Sequence, residues 1–171
     1  MRIVESPNCD ERPPNTEITL VLLHSISLPP GVYGGDAIER LFTNRLDPQA
    51  HPYFREIAGL KVSSHYLIRR DGERVRFVSV EKRAWHAGAS SWRGRGRCND
   101  FSIGIELEGT EEDVFSDAQY DALATLVREL RSRLPLRDIA AHSDVASRRK
   151  TDPGARFDWA RLLASLARSR A

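Results

Sequence analysis

The chain has 171 residues, of which 40% are hydrophobic and 29% are charged, and its formal net charge is only +2. This length predicts one domain with its own core, and the near-neutral charge argues against a nucleic-acid partner, because such proteins carry a strong positive excess. The chain has no apolar run near the ~18 residues of a membrane helix, so we expect no membrane partner. It begins without the apolar core of a signal peptide, and Cys9 and Cys98 form no CxxC pair. We therefore expect a cytoplasmic protein with reduced thiols.

The first third of the chain predicts a buried strand followed by a short helix. Residues 18–23 form an apolar run that contains β-branched residues and is bounded by polar ones, which favours a strand with His24 at its carboxyl end. Asp36, with Glu39 three residues later, is typical of a helix capping box. Residues 43–60 are mixed in composition, and we expect a long loop there.

The middle of the chain predicts a hairpin, an irregular binding loop and another strand. Residues 62–68 and 74–80 read as two paired strands, and residues 70–73 supply the tight turn between them. Residues 85–97 are rich in glycine, aromatic residues and arginine, which suits a surface loop that contacts a small anionic substrate. Residues 101–109 alternate apolar and polar or small side chains, which predicts a strand.

The last third predicts a long helix, a ligand-bearing segment and a terminal helix. Ser116 and Gln119 open the long helix, and Pro135 is expected to stop it. Its apolar stripe follows helical spacing: Tyr120, Leu123, Val127, Leu130 and Leu134. A second amphipathic helix is predicted around residues 159–166. Together these elements predict a single α/β domain spanning residues 1–171, with a central mixed β-sheet flanked by α-helices.

Two histidines and one aspartate are the best candidates for a metal site. Residues 139–141 lead His142 to the end of an apolar segment, and a Pro-Gly pair turns the chain just after Asp152. His24 is the best third ligand. Two imidazoles and one carboxylate leave a zinc position open for water, which predicts one zinc per chain and a metal-dependent hydrolase.

A simpler interpretation of the same residues remains open. His24 would then be a buried, hydrogen-bonded histidine and Asp152 a turn cap, because the spacing around His142 matches no general zinc motif.

Candidates for the acid–base and charge-stabilising groups lie on the two segments nearest these ligands. Glu106 and Glu108 project to the same side of the predicted strand, so spacing alone does not choose the general base between them. Lys150 lies two residues before Asp152 and would stabilise an oxyanion, although a surface lysine is an equal alternative. His65 is interpreted as a packed residue or one that hydrogen-bonds to a metal ligand, and His86 as a residue that lines a cleft.

Six segments of the sequence resemble the AmpD-type amidases of the amidase-2 superfamily, over about residues 6–165. The matching segments are Leu22–Gly31, Asp47–Phe54, Val62–Gly72, Arg83–Gly88, Arg97–Gly109 and Arg149–Gly154. The resemblance implies a zinc amidase that cuts the bond between the lactyl group of 1,6-anhydro-N-acetylmuramic acid and the L-alanine of the stem peptide, in cytoplasmic peptidoglycan recycling.

The same resemblance implies a role for each matching residue. His24, His142 and Asp152 match the zinc ligands, Glu106 matches the catalytic glutamate, and Lys150 matches the lysine that stabilises the transition state. The positions that contact the muropeptide in the family are Ser25, Lys61, Ala84 and Arg97.

Two of these positions depart from the family pattern. Ser25 stands where asparagine is common and Lys61 where arginine is common, and lysine lacks the two-pronged geometry with which arginine binds a carboxylate. The expected partner is a small-molecule anhydro-muramyl peptide, bound by a monomer. The rival hypotheses are a muropeptide-binding module that has lost its metal and an amidase that acts on intact cell wall.

Overall fold

The computed structural model describes residues 1–168, which form a mixed six-stranded sheet, two small two-stranded sheets, five α-helices and one 3-10 helix at Cys98–Asp100. The elements in chain order are β1 (Arg2–Ile3), β2 (Cys9–Glu11), β3 (Leu20–Ile26), α1 (Ala37–Phe42), α2 (Pro52–Ile57), β4 (Tyr66–Ile68), β5 (Arg74–Arg76), β6 (Lys82–Ala84), β7 (Ser91–Trp92), β8 (Arg95–Gly96), β9 (Ser102–Glu108), α3 (Asp117–Arg131), β10 (Asp138–Ala141), α4 (His142–Val145) and α5 (Trp159–Ala167). The predicted α/β class with a central mixed sheet is confirmed.

The main sheet has the strand order β1-β5-β4-β9-β3-β10. Strand β3 lies between β9 and β10 and is parallel to both, while β4 and β5 form the predicted antiparallel hairpin. The two longest strands, β3 and β9, occupy the interior of the sheet, and all seven residues of β9 are buried. Strands buried on both faces are rich in apolar residues, which explains the run that precedes His24.

One face of the sheet is covered by α3 and α5. The odd-numbered apolar residues of β3 and β9 pack here against the predicted stripe of α3, and Leu162 joins them from α5. Ser116 caps α3 with the predicted capping box. The helix ends at Arg131, four residues before Pro135, although Leu134 still packs against the core. Leu163, an apolar residue of the predicted amphipathic segment 159–166, is 57% exposed.

The opposite face carries the polar side chains of β3 and β9, and two parts of the chain cover it. Helices α1 and α2 pack over the end of the sheet that contains β4 and β5. The segment from residue 85 to 101 packs over the central strands, with the β7–β8 hairpin on its outer side. The predicted binding loop is therefore less irregular than its composition suggested.

Two predicted local structures in the first third of the chain are wrong. Residues 43–60 are not a continuous loop, because α2 begins after His51, whose side chain accepts a hydrogen bond from the Tyr53 amide. Helix α1 has Asp36 as its N-cap but no side-chain capping bond. The Glu39 carboxylate instead accepts hydrogen bonds from Arg2 and Arg69.

No helix among residues 1–168 combines the length and the hydropathy that crossing a membrane requires.

Candidate metal centre and active-site cleft

The parallel pairing of three strands brings the predicted ligands together. In the register of β3 with β9, His24 lies opposite Glu106. In the register of β3 with β10, Leu23 lies opposite Ala141, so that His142 follows at the very end of its strand. The carboxyl ends of parallel strands form a common edge where open α/β proteins bind ligands. His24 itself lies within the last three residues of β3, near the carboxyl end of the strand as predicted.

Three donor atoms face one point at this edge. His24 Nδ1 lies 3.0 Å from His142 Nδ1 and 3.2 Å from Asp152 Oδ2, and His142 Nδ1 lies 3.0 Å from the same carboxylate oxygen. All three residues are buried. A tetrahedral zinc site with bonds of roughly 2.0–2.1 Å holds its ligands about 3.3 Å apart. The triangle of donors therefore has the size that a zinc ion requires.

The protonation of the donors also suits a cation. The Nε2 atom of His142 lies 3.2 Å from the Ala87 carbonyl oxygen, which only accepts, so that Nε2 carries the proton and Nδ1 offers a lone pair. Burial lowers the pKa of His24 to about 4, which keeps its imidazole neutral. Burial alone would raise the pKa of Asp152, but its close contacts with His142 and His24 lower the pKa below its ordinary value, so that the carboxylate is ionised. A buried carboxylate beside two imidazole nitrogens is a donor set for a divalent metal.

Backbone contacts hold the two downstream ligands in place. The amide of Ser143 donates to the carbonyl oxygen of Asp152 at 3.1 Å, which joins the start of α4 to the segment that carries Asp152. The Arg149 guanidinium donates to the carbonyls of Ala87 and Ala89. The ligand segment is thereby fixed to the loop that covers the sheet.

Glu106 is a buried carboxylate beside the three donors. Its side chain lines the cleft, and its Oε2 atom has no hydrogen-bond partner among residues 1–168. Burial and the negative charge of Asp152 raise the pKa of Glu106 well above its ordinary value, and the charge of Lys150 partly opposes that rise. A carboxylate with a raised pKa is suited to accept and return a proton near neutral pH.

Glu108, the other carboxylate on this side of β9, is fully engaged elsewhere. It forms a 2.8 Å ion pair with Arg69 and accepts hydrogen bonds from the amides of Gly34 and Arg70. The two glutamates, which the spacing in the sequence left equivalent, therefore have different environments, and only Glu106 is free to react.

A cleft of about 480 Å³ opens above the donors. Its polar side includes Ser25, Lys150, Thr110 and the metal-site residues. Its other wall is mostly apolar and comes from the segment after β3, from α1 and from α2 with the residues that follow it: Leu28, Pro30, Leu41, Phe42, Tyr53, Ile57, Leu60 and Val62. Sequence reasoning missed this wall because it missed α2. The His51-Pro52 pair, an N-cap followed by proline in the first turn, was the available signal.

The predicted substrate contacts are distributed unevenly around the cleft. Ser25 lines it, whereas Lys61, Ala84 and Arg97 are outside its lining. Ala84 is completely buried, and Lys61 and Arg97 are exposed. Arg97 pairs with Asp100 at 3.2 Å.

The two other predicted histidines lie close to the donors but differ in role. His65 is fully buried, and its Nδ1 accepts a hydrogen bond from the Gly104 amide. It is a packed residue, as predicted. His86 lines the cleft, as predicted, and its Nδ1 lies 2.9 Å from His24 Nε2.

Comparison with known families gives one match over most of the chain. Residues 14–155 match the family model Amidase_2, described as N-acetylmuramoyl-L-alanine amidase. All three donors, Glu106 and Lys150 fall inside the matched range.

Curated relatives share much of the sequence. The chain is 57% identical over 163 residues to the 1,6-anhydro-N-acetylmuramyl-L-alanine amidase AmpD of Escherichia coli K12, which covers 94% of this chain and 89% of the relative. It is 46% identical over 168 residues to the AmpD of Haemophilus influenzae, with coverage of 96% and 91%.

Solved structures share the fold. A crystal structure of a selenomethionine derivative of AmpD superposes with a TM-score of 0.93 at 55% identity, and it covers 96% of this chain and 93% of that one. A complex of AmiD from E. coli with anhydro-N-acetylmuramic acid-L-Ala-D-γ-Glu-L-Lys superposes with a TM-score of 0.64 at 28% identity, covering 91% of this chain and 60% of that one.

Proposed function

Because this chain belongs to the Amidase_2 family and, within it, to the AmpD-type anhydro-muramyl-L-alanine amidases, we propose that it is a zinc-dependent amidase of peptidoglycan recycling. The substrate is a 1,6-anhydro-N-acetylmuramyl peptide. The bond that breaks is the amide between the lactyl carbonyl and the nitrogen of L-alanine. Water supplies the oxygen of the new carboxylate, and the proton goes to the departing amine.

One observation carries the proposal: three metal donors and an unpartnered buried carboxylate meet at the floor of a single cleft. His24, His142 and Asp152 would hold the zinc, since their donor atoms lie 3.0–3.2 Å apart. When bound, the ion supplies Lewis-acid chemistry, which lowers the pKa of a water and polarises a carbonyl.

Glu106 supplies the proton transfers. Its carboxylate is held beside the donors by the pairing of β9 with β3, and no other described group competes for its Oε2 atom. It takes a proton from the attacking water and delivers that proton to the alanine nitrogen as the amide bond breaks. Its raised pKa makes the protonated form accessible for the second step.

Lys150 stabilises negative charge on the lactyl oxygen during the reaction. Its side chain is on the rim of the cleft, and its charge acts on both Glu106 and His24. A positive charge placed where an oxyanion develops contributes more to the transition state than to the bound substrate.

The cleft suits a substrate with a compact sugar and a polar peptide. Its apolar wall can pack against the anhydro sugar ring, and Ser25 is in position for a hydrogen bond. We assign Lys61 and Arg97 to the peptide-binding periphery on the strength of the family resemblance alone. Ala84, the third position that the resemblance implies, has no exposed surface through which to contact a peptide.

We also propose a cytoplasmic setting and a monomeric enzyme made of one domain. Cys9 and Cys98 are free thiols, which suits a reducing compartment.

The direct test is hydrolysis of an anhydro-muramyl peptide. Zinc-loaded protein is incubated with the substrate, and the products are separated and weighed by mass spectrometry. We expect two products, the anhydro sugar acid and the free peptide with L-alanine at its amino end, whose masses sum to that of the substrate plus one water.

A matched substrate sharpens the test. The same peptide on a reducing N-acetylmuramic acid, which lacks the 1,6-anhydro bridge, should be cut more slowly. Binding of the anhydro substrate without release of peptide would favour the muropeptide-binding module instead.

A further inference from the structure

Each histidine ligand has one ring nitrogen that faces the other donors and one that faces the segment after β6. His142 meets the carbonyl oxygen of Ala87 there. His24 meets a side chain instead, since its Nε2 lies 2.9 Å from Nδ1 of His86. A metal-bound histidine usually directs its second nitrogen at a carboxylate, a carbonyl or water. An imidazole in that place can accept the proton of the ligand only if its own nearer nitrogen carries no proton.

The hydrogen bonds beyond His86 determine that arrangement. The carbonyl oxygen of Cys98 can only accept, and the Ser102 hydroxyl lies 2.6 Å from it, so the hydroxyl hydrogen is committed there. The Ser102 oxygen therefore accepts from Nε2 of His86, at 3.3 Å. Neutral His86 then has a lone pair on Nδ1 and accepts the Nε2 proton of His24. The remaining lone pair of His24, on Nδ1, faces the other two donors.

The residues around the His86 ring leave space for it and hold its backbone in place. A Cβ atom added to Gly104 would lie 2.5 Å from Cγ of His86, so that only glycine at this position of β9 allows the ring to rest on the strand. The amides of His86 and Ala87 both donate to the side-chain oxygen of Asn99. Asn99 thus holds the two residues that meet the two histidine ligands.

We propose that His86 is a positioning residue, which accepts the Nε2 proton of His24 and so presents Nδ1 of His24 to the metal. The proposal rests on the proposed function, since it assumes that His24 is a zinc ligand. It assigns His86 no contact with the reacting atoms. Ser102 and the Cys98 carbonyl fix the direction of the chain of hydrogen bonds.

Two substitutions of similar size separate acceptance of the proton from packing. His86→Asn places an amide oxygen near the position of Nδ1, whereas His86→Leu fills the same space without an acceptor. Gly104→Ala displaces the ring and leaves its chemistry unchanged. Ser91→Ala, on the exposed side of the β7–β8 hairpin, is the control.

The measurement is zinc affinity, by competition with a chromophoric chelator, together with the visible spectrum of the cobalt-substituted protein. We expect His86→Leu and Gly104→Ala to bind zinc roughly 10–100-fold more weakly, with an altered cobalt spectrum. His86→Asn should recover most of the affinity, and the control should match the wild type. In the hydrolysis assay at saturating zinc, kcat should fall in His86→Leu while KM changes little.

Two results would overturn the assignment. If His86→Leu binds zinc as tightly as the wild type and gives the same cobalt spectrum, His86 does not position the ligand. If His86→Asn binds zinc as weakly as His86→Leu while both metal-free proteins unfold at the wild-type temperature, acceptance of the His24 proton is not the role of the ring.

The proposed function is tested separately, by measuring zinc binding to the wild type and to His24→Ala. If the wild type binds zinc and His24→Ala does not, the metal site is supported whatever the His86 variants show. If the wild type binds no zinc, both proposals fall.

Discussion

At the scale of single residues, Glu106 is the clearest departure from what stability favours. Its Oε2 atom is buried without a hydrogen-bond partner in the described part of the chain, which costs free energy, and the neighbouring charge of Asp152 adds to that cost. Glu108, two residues along the same strand, shows the stable alternative, in which one guanidinium and two amides satisfy the group. Such a cost is tolerated where chemistry needs the group.

Replacing Glu106 with glutamine should therefore separate activity from stability. We expect Glu106→Gln to keep its zinc and lose about 10²-fold or more in kcat, because the proton acceptor is gone. The metal-free variant should be more stable than the wild type at pH 7, by about 1 kcal/mol or more, because glutamine has no ionisation for burial to oppose. Turnover and denaturant unfolding measure the two effects, with the exposed Glu56→Gln as the control.

The pH dependence of that difference follows from the direction of the pKa shift. The pKa of Glu106 is raised in the folded state, so its protonated form contributes stability at low pH, and this contribution is lost as the pH rises above the ordinary value of 4.5. The advantage of Glu106→Gln should therefore grow from pH 4.5 upward. A difference that stays constant over this range would contradict the assigned shift.

Asp152 is the residue on which the metal site depends for its charge. Asp152→Ala leaves two neutral imidazoles, which bind a divalent cation poorly. Zinc at 100 times its Kd should stabilise the wild type by about 2.7 kcal/mol and leave Asp152→Ala unaffected. Thermal unfolding with and without zinc, with the exposed Asp121→Ala as control, gives the result. An equal zinc-induced shift in Asp152→Ala would exclude this ligand.

At the scale of elements, a tight turn carries Asp152 into the cleft. Gly154 has a φ of +98°, and a Cβ atom there would lie 2.0 Å from the carbonyl oxygen of Glu111. The backbone of the ligand segment thus rests directly on the loop that follows β9. Any side chain at position 154 separates the two segments.

Gly154→Ala should accordingly damage both stability and metal binding. Backbone strain alone costs about 1–3 kcal/mol, and relief of the clash with Glu111 displaces the Asp152 ligand, so zinc affinity should fall as well. Gly94→Ala is the matched control, because Gly94 has a φ of +82° with no atom within 4 Å of an added Cβ. The control should lose stability and keep zinc affinity. Equal zinc affinity in both variants would show that the close approach does not position Asp152.

The elements that the sequence predicts well are those whose signal is local. The apolar run of β3, the alternation in β9 and the capping box of α3 each depend on side chains within one segment, and all three are confirmed. The capping box at Asp36 fails for the opposite reason. Glu39 is drawn to Arg2 and Arg69, which come from distant parts of the chain.

At the scale of the whole molecule, the site depends on pairings that no local pattern contains. The donors meet because β9, β3 and β10 are neighbours in one parallel register. From residue types and spacing, the three ligands were only candidates, and two glutamates were equivalent. The resemblance to a family assigned the catalytic role to Glu106, by analogy. The structure adds the physical difference between them, which is the ion pair of Glu108 with Arg69.

The same packing places neutral imidazoles throughout the interior, which should make the fold sensitive to acid. Burial and the nearby charge of Arg12 lower the pKa of His65 to about 3, and burial lowers that of His24 to about 4. Below about pH 6.5 the unfolded chain binds a proton at His24 and at His65, whereas in the folded protein these two imidazoles stay neutral to lower pH. Stability is therefore highest above that pH and falls as the pH drops toward the folded pKa values.

His65 allows this to be tested away from the metal ligands. From pH 8 to pH 5, one histidine that stays neutral in the folded state should lower the free energy of unfolding by about 2 kcal/mol. His65→Gln removes that titration and, whatever it costs at pH 8, should lie about 2 kcal/mol closer to the wild type at pH 5. Denaturant unfolding of both metal-free proteins across this range measures the gap. A gap of constant size would mean that His65 is protonated in the folded protein as readily as in the unfolded chain.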